Sequence, residues 1–116
     1  GSSAFTMIPK WDYDRSMRVI AVSALRDFWA VHPDARGALQ AWYREASGAS
    51  WATPAQIKAQ YGSASILKNR RVVFNIKGNA YRLVVSVAFS VRVVYVKFIG
   101  THEAYDSIDA ETVEPV

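Results

Sequence analysis

The chain has 116 residues, 51% hydrophobic and 21% charged, which predicts a single folded domain. It has no cysteine, which excludes disulfide frameworks, thiolate nucleophiles and zinc–cysteine sites. No apolar run has the length of a membrane span, and the net charge of +4 understates how unevenly charge is distributed along the chain.

The predicted domain covers residues 17–113. Gly1-Ser2-Ser3 is typical of the remnant of a cleaved expression tag, and residues 4–16 show no clear period. We therefore treat residues 1–16 as a tag remnant with an uncertain N-terminal extension, and place the start of organised patterning at Met17.

The first half of the domain predicts one strand followed by helices. Arg18 to Val22 is rich in β-branched residues, as in a strand, and Ser23 is a suitable N-cap for the helix behind it. Two helical stripes follow, separated by a proline, and Asp34 is placed to cap the second helix. Their members recur at i, i+3, i+4 and i+7: Leu25, Phe28, Trp29 and His32, then Leu39, Trp42, Tyr43 and Ala46. These stripes predict an αα-hairpin with an aromatic inner side.

After the hairpin, the sequence predicts a short helix and then a sheet. A capping box over residues 53–56 begins a helix over residues 54–60. The period then changes to that of strands, which we predict over Arg71–Lys77, Ala80–Phe89 and Arg92–Thr101. The predicted turns are Gly78-Asn79 and, less strictly specified, Ser90-Val91.

The turn at Gly78-Asn79 sets the register, with Arg71 opposite Ser86 and Asn75 opposite Arg82. One face is then wholly apolar: Val72, Phe74, Ile76, Tyr81, Leu83, Val85 and Val87. The opposite face is mixed and basic: Arg71, Val73, Asn75, Lys77, Ala80, Arg82, Val84 and Ser86. The third strand adds Val94, Val96 and Phe98 to the apolar face and Tyr95 and Lys97 to the basic one.

Beyond the sheet, we predict a short helix over residues 103–108 and a loose acidic segment from Asp109 to Val116. The expected fold class is α+β: an N-terminal strand and an αα-hairpin packed on an antiparallel sheet, with a short C-terminal helix.

Charge is distributed unevenly along the chain. The 57 residues between Glu45 and Glu103 contain no acidic side chain and eight basic ones. A long segment of one sign favours a nucleic-acid partner over a merely solvated surface.

Three proton-active side chains follow the sheet closely: His102, Tyr105 and Asp106. Histidine suits acid–base work near neutral pH, and arginines such as Arg71 and Arg82 match phosphate oxygens. RNA can be cut without a metal ion when its own 2′-OH attacks the adjacent phosphate, which requires orientation, charge stabilisation and proton transfer. We therefore expect no metal site and no cofactor.

Each of these side chains also has a structural interpretation. His102 would cap the junction between sheet and helix, Tyr105 would be a core aromatic residue, and Asp106 would bind a backbone amide or an arginine. His32 is expected to be structural. Two other functions stay open: a non-catalytic RNA- or ribosome-binding module, and an interaction protein whose basic face docks an acidic partner.

Two blocks of the sequence carry a resemblance to a known family. Residues 63–85 (SASILKNRRVVFNIKGNAYRLVV) and residues 98–106 (FIGTHEAYD) resemble HigB-type toxins, as does the aromatic helix around residues 41–43. The similarity covers about residues 17–113 in the same order.

The resemblance implies a RelE-like toxin of a bacterial toxin–antitoxin pair, an endoribonuclease of the mRNA-interferase type that acts on messages at the ribosome. It implies a HigA-type helix-turn-helix antitoxin, contact with operator DNA only through the antitoxin complex, no membrane association and a cytoplasmic location. The catalytic residues it implies are Arg71, Arg82, His102, Tyr105 and Asp106. The resemblance also implies RNA binding by Asn75 and Lys77. The pattern of basic residues adds Lys97 and the loop of Lys68, Asn69 and Arg70 to the predicted RNA-binding residues.

Overall fold

The computed structural model describes residues 16–115 and contains a five-stranded sheet in the order β1-β5-β4-β3-β2. The strands are β1 Arg18–Ile20, β2 Ser65–Ile66, β3 Arg71–Ile76, β4 Tyr81–Ala88 and β5 Val93–Thr101. The helices are α1 Val22–Val31, α2 Arg36–Gly48, α3 Pro54–Gln60 and α4 His102–Tyr105, with a 3₁₀ turn at Pro33–Ala35. The predicted tag remnant and nearly all of the predicted extension lie outside the described residues.

The α+β prediction is confirmed, with one refinement of the sheet. Strands β2 to β5 pair antiparallel, whereas β1 joins the free edge of β5 in parallel. The sheet is therefore mixed, because the chain passes through helices α1 to α3 and strands β2 to β4 before β5 pairs with β1 in the same direction. No helix found between residues 16 and 115 combines the length and the hydropathy that a membrane crossing requires.

The predicted register of the central hairpin is confirmed. Arg71 pairs with Ser86 and Asn75 with Arg82 in the β3–β4 ladder. At the turn, Lys77 and Gly78 both have positive φ, and the amide of Ala80 donates to the carbonyl of Lys77 over 3.2 Å. Glycine adopts this left-handed conformation without the Cβ clash that other residues suffer.

The helices cover the face of the sheet that was predicted to be apolar, which we call the helix-covered face. All seven residues predicted for β3 and β4 lie in one buried cluster with Leu25, Leu39, Trp42, Trp51 and Ile57. Phe74 is at its centre, with its ring 5.4 Å from that of Trp42 and 5.0 Å from that of Tyr61. His32 stacks on Phe28 with ring centroids 4.4 Å apart, in agreement with its predicted structural role.

The predicted starts of the first two helices were wrong, whereas that of the third was right. Helix α1 begins at Val22, so Ser23 is a helical residue and not an N-cap. Asp34 lies in the 3₁₀ turn and does not cap α2, because its carboxylate accepts hydrogen bonds from Lys77 and Tyr81. Helix α3 has the predicted bounds and the full capping box of Thr53.

A β-bulge changes the predicted assignment of the last strand. Val84 pairs with Phe98 but Val85 pairs with Val96, which leaves Lys97 as the extra residue of β5. Val94 and Val96 lie on the helix-covered face as predicted. The prediction for Phe98 was wrong, because the bulge reverses the alternation and Phe98 packs on the opposite face with Val84.

The opposite face is covered by the C-terminal tail, residues 108–115, and we call it the tail-covered face. Val73, Val84 and Ala110 form a second buried cluster, against which Leu67, Phe98, Tyr105, Ile108 and Val113 pack. The prediction of a loose acidic segment was therefore wrong for the residues described, since Val73 and Val84 need an apolar cover. The predicted final helix is also shorter, as α4 ends at Tyr105.

Candidate functional site

Arg82 and the segment that begins at His102 meet at one end of the tail-covered face, which we call the His102 end. Arg82 pairs with Asn75 on one side and with Gly100 on the other. The amide of His102 donates to the carbonyl of Ala80 over 3.1 Å, which ties the start of α4 to the strand of Arg82. The sheet ladders thus bring the backbones of Asn75, Arg82 and His102 to one end of the sheet, where the Arg82 guanidinium donates to the carbonyls of Asn79 over 3.2 Å and Tyr81 over 3.3 Å.

Gly100 lets α4 lie close to this face. A Cβ on Gly100 would lie 2.5 Å from the Phe98 ring and 3.4 Å from the Cβ of Ala104. The helix therefore packs over Gly100, on the same face as Arg82, and any side chain at position 100 would displace Phe98. Thr101 caps the helix, because its hydroxyl accepts a hydrogen bond from the amide of Ala104 over 3.0 Å.

His102 is accessible and is oriented by the neighbouring carboxylate. Its Nδ1 lies 3.3 Å from Oδ2 of Asp106, one turn along the chain, and both side chains are more than half exposed. A carboxylate on one ring nitrogen selects the tautomer and directs the other nitrogen, Nε2, away from it. This arrangement is suited to proton transfer with a ligand.

Tyr105 shares α4 with His102 but packs differently. Its ring is half-buried against the cluster of Val73, Val84 and Ala110. This contact agrees with the structural interpretation of Tyr105, and its catalytic role stays a prediction.

Arg71 lies on the same face as Arg82 but at a distance along the sheet. It lies four positions before Asn75, the cross-strand partner of Arg82, on β3, which corresponds to about 13 Å. Arg71 is 5% exposed, and its guanidinium donates to the carbonyl of Val113 and, over 2.7 Å, to the carboxylate of Glu114. The predicted cluster is therefore divided into two parts of one face.

A groove of about 490 Å³ surrounds Arg71, and we call it the Arg71–Lys97 groove. The sheet and the basic loop line it on one side, and the tail lines it on the other: Asn69, Arg70, Arg71, Ser86 and Lys97, then Glu111, Thr112 and Glu114. Lys97 donates to the second carboxylate oxygen of Glu114 over 2.6 Å, and its ammonium lies 5.6 Å from the Tyr95 ring centroid. The bulge at Lys97 thus places this cation beside Arg71.

The loop before β3 forms the rim of this groove. Asn69 and Arg70 are consecutive residues with positive φ, and they are exposed together with Lys68. The Asn69 side chain donates to the carbonyl of Glu111 over 3.0 Å.

Lys77 is apart from both groups. Its ammonium donates to Asp34 over 2.8 Å, and Asp34 also accepts from the hydroxyl of Tyr81, which belongs to the helix-covered face. The predicted position of Lys77 on the basic face was therefore wrong, because its left-handed backbone turns the side chain toward the helices. A role of Lys77 in RNA binding stays a prediction.

Hydrogen bonds and nearby cations lower the pKa of two carboxylates, Asp34 and Glu114. Hydrogen bonds from Lys77 and then Tyr81 lower the pKa of Asp34. The hydrogen bond from Lys97, with the charges of Lys97 and Arg71, lowers the pKa of Glu114. Both groups are therefore stabilised in the ionised form.

The tail residues were missed as part of the site. Glu114, Val113 and Glu111 contact Arg71, Lys97 and Asn69, although they lie in a segment predicted to be loose. One signal was present in the sequence: Val73 and Val84 face each other on a surface otherwise polar, and such a pair requires a cover.

Three curated proteins are similar to this chain over most of their length. They are the mRNA interferase toxin HigB of Escherichia coli strain K12 and the mRNA interferase HigB of Escherichia coli O157:H7 and of Shigella flexneri. Each is 29% identical over 96 residues, which cover 81% of this chain and 92% of the relative.

A family model also matches the chain, over residues 35–108, which include both central strands, the groove lysine and the whole His102 end. With that match, the chain belongs to the HigB toxin family, the RelE-like toxic component of a toxin–antitoxin system.

Proposed function

We propose that this protein is the toxin of a toxin–antitoxin pair and an endoribonuclease that cleaves mRNA by attack of a 2′-OH on the adjacent phosphate. The names of its relatives as mRNA interferases support this activity. The observation that carries it is the juxtaposition of Arg82, Asn75 and His102 at one end of a basic face.

Each residue of the His102 end has a role in this proposal. Arg82 donates to the scissile phosphate and stabilises the negative charge that grows on it. Asn75 positions the same phosphate or its sugar. His102 transfers a proton to or from the reacting oxygens, and Asp106 holds its imidazole in one tautomer and orientation.

The remaining predicted residues bind RNA phosphates away from the cleavage point or hold the site in position. Arg71 and Lys97 bind a phosphate further along the RNA and stabilise its charge, and the exposed residues Lys68, Asn69 and Arg70 follow the backbone beyond it. Lys77, which is paired with Asp34 beside the hairpin turn, contributes only long-range positive charge. Tyr105 supports the site by fixing α4 on the sheet.

The test is a comparison of Arg82→Ala and His102→Ala with Arg36→Ala, which removes an exposed arginine of α2. We expect the first two variants to relieve the growth arrest of expressing cells and to abolish new 5′ ends in mapped transcripts, and Arg36→Ala to remain toxic. Full toxicity of both site variants would refute the site assignment, provided that their melting curves match the wild type.

The alternative, a non-catalytic RNA- or ribosome-binding module of the same fold, is not favoured by the relatives. It predicts RNA binding and growth arrest without new transcript ends, so the mapping experiment separates the two functions. An acidic protein partner for the basic face predicts instead a complex that survives nuclease treatment.

The proposal extends to the partners of the pair. The antitoxin is of the HigA type, with a helix-turn-helix, and operator DNA is contacted only through the toxin–antitoxin complex. The target is mRNA on the ribosome, which places the protein in the cytoplasm. Copurification of the coexpressed antitoxin, and of ribosomes with the His102→Ala variant, tests both contacts.

A further inference from the structure

Glu114 of the tail contacts two cations of the sheet. Its two carboxylate oxygens separately bind the guanidinium of Arg71 over 2.7 Å and the ammonium of Lys97 over 2.6 Å. A carboxylate between two cations is a planar stand-in for a phosphate group, whose oxygens accept the same hydrogen bonds.

The burial of the three side chains is asymmetric. The Arg71 side chain is 6% exposed and that of Lys97 is 20% exposed, whereas that of Glu114 is 58% exposed. The cations are therefore built into the sheet, while their anion reaches them from solvent. A buried guanidinium without an anion is costly, so the groove requires an occupant of negative charge.

The tail that brings Glu114 to the groove is weakly held. Its apolar contacts are those of Ala110, Ile108 and Val113. Its polar contacts are the two ion pairs of the exposed Glu114 carboxylate and two backbone carbonyls that accept from Asn69 and Arg71. An ion pair is weakened when its carboxylate is in contact with water, and segments with few buried apolar contacts open at low free-energy cost. The tail can leave the groove without unfolding of the helix-covered core.

The geometry points to a phosphate-binding site in the Arg71–Lys97 groove that takes a backbone phosphate of the RNA, with Glu114 as its resident competitor. In the structure, the tail closes this phosphate site through Glu114. RNA binds there by displacing the Glu114 carboxylate together with the rest of the tail. This regulation deepens the proposed function, and it rests on RNA being the ligand of the face.

The first test measures binding of a 2′-O-methyl RNA oligonucleotide, which keeps the phosphates and lacks the attacking hydroxyl. We expect Glu114→Gln to bind this probe about tenfold more tightly than the wild type, because the competent state is no longer suppressed. The control Asp27→Asn changes the net charge equally, on the exposed part of α1, and should alter affinity by less than about twofold. Equal affinities of the two variants would overturn the inference.

The second test follows hydrogen exchange of the tail amides. Val113 and Thr112 donate to the carbonyl of Asp109, and saturation with the probe should accelerate their exchange as the tail is displaced. Unchanged or slower exchange would mean that RNA binds with the tail in place, which also overturns the inference.

Failure of the proposed function has a different signature. If the wild type produces no new 5′ ends while Glu114→Gln still binds the probe more tightly and the tail still opens, the nuclease proposal fails and the phosphate site stands. If cleavage is normal while affinity and tail exchange stay unchanged, only the inference fails.

Discussion

The two faces of the sheet are covered in different ways. On the helix-covered face, three helices bury a continuous apolar cluster, in which Trp42 of α2 and the flanking residues Trp51 and Tyr61 pack their rings against Phe74. On the tail-covered face, a small cluster of Val73, Val84 and Ala110 lies beside ion pairs made by one exposed glutamate. Three helices bury more apolar area than a short tail, so the helix-covered face contributes most of the stability. The tail-covered face can exchange its tail for a ligand at lower cost.

This difference explains why the functional cations lie on the tail-covered face. The cations of the tail-covered face stand on a rigid platform because the opposite side of the same strands is closed by helices. The tail-covered face can therefore hold charged side chains and the strained backbone of Asn69 and Arg70, which a buried apolar core excludes. Substitutions on the two faces should separate stability from activity.

The largest expected effect is on the helix-covered face. Phe74→Ala should lower the free energy of unfolding by about 3–5 kcal/mol, because it leaves a cavity between the rings of Trp42, Trp51 and Tyr61. Urea denaturation followed by circular dichroism measures the loss. A cost below about 1 kcal/mol would contradict the view that this face carries the stability.

The next effect belongs to the His102 end and should leave stability unchanged. His102→Ala should reduce the rate of RNA cleavage about 100-fold, which corresponds to roughly 2.7 kcal/mol, because proton transfer is lost. The matched control is Ser107→Ala, an exposed neighbour whose hydroxyl bonds only locally to the carbonyl of Ala104. Cleavage rates under single turnover, with melting curves of both variants, decide between a catalytic and a structural histidine.

A sharper comparison uses two adjacent valines of β4 that are both 0% exposed. Val85 points into the helix-covered cluster and Val84 into the tail-covered one. We expect Val85→Ala to cost about 2–3 kcal/mol and Val84→Ala about half as much, because the tail can collapse into the cavity while packed helices cannot. Equal costs in the same denaturation experiment would show that the two covers are equally rigid.

The smallest effect is a pH dependence of the tail. The pKa of Glu114 lies below its ordinary value in the folded protein, so the contact is complete above the ordinary carboxyl pKa and is lost as the pH falls through the lowered one. The charged groups around it are Arg71 of β3, Lys97 of β5, Arg70 of the rim and Glu111 of the tail.

Acidification should therefore release the tail while the helix-covered face stays folded. The Val113 amide, followed by NMR from neutral pH downward, should shift in the wild type and lack that transition in Glu114→Gln. A transition that persists in the variant would assign the release to another carboxylate.

Several features of the fold could be predicted from the sequence because they depend on interactions between near neighbours in the chain. The turn at Gly78-Asn79 and strict alternation predicted the register of β3 and β4, since a shift by one residue would bury Arg71 and Arg82 together. The capping box at Thr53 predicted α3 to the residue. The grouping of Asn75 with Arg82 followed from the same register.

The errors arose where distant segments compete for the same group. Asp34 has the character of a helix cap, but Lys77 and Tyr81 bind its carboxylate from the far side of the hairpin turn. Phe98 follows the alternation of its own strand until the bulge opposite Val84 and Val85 reverses it. No local pattern records either event.

The sequence by itself determined the two faces of the β3–β4 hairpin and most of the basic residues that one of them displays, because strand period and turn chemistry act between near neighbours. Only the tertiary structure decided which of those residues meet. It brought His102 beside Arg82 through the β4–β5 ladder, and it placed Glu114 between Arg71 and Lys97. Both arrangements join segments far apart in the chain. The second forms because an apolar pair of valines and a buried guanidinium each need a cover that local structure does not provide.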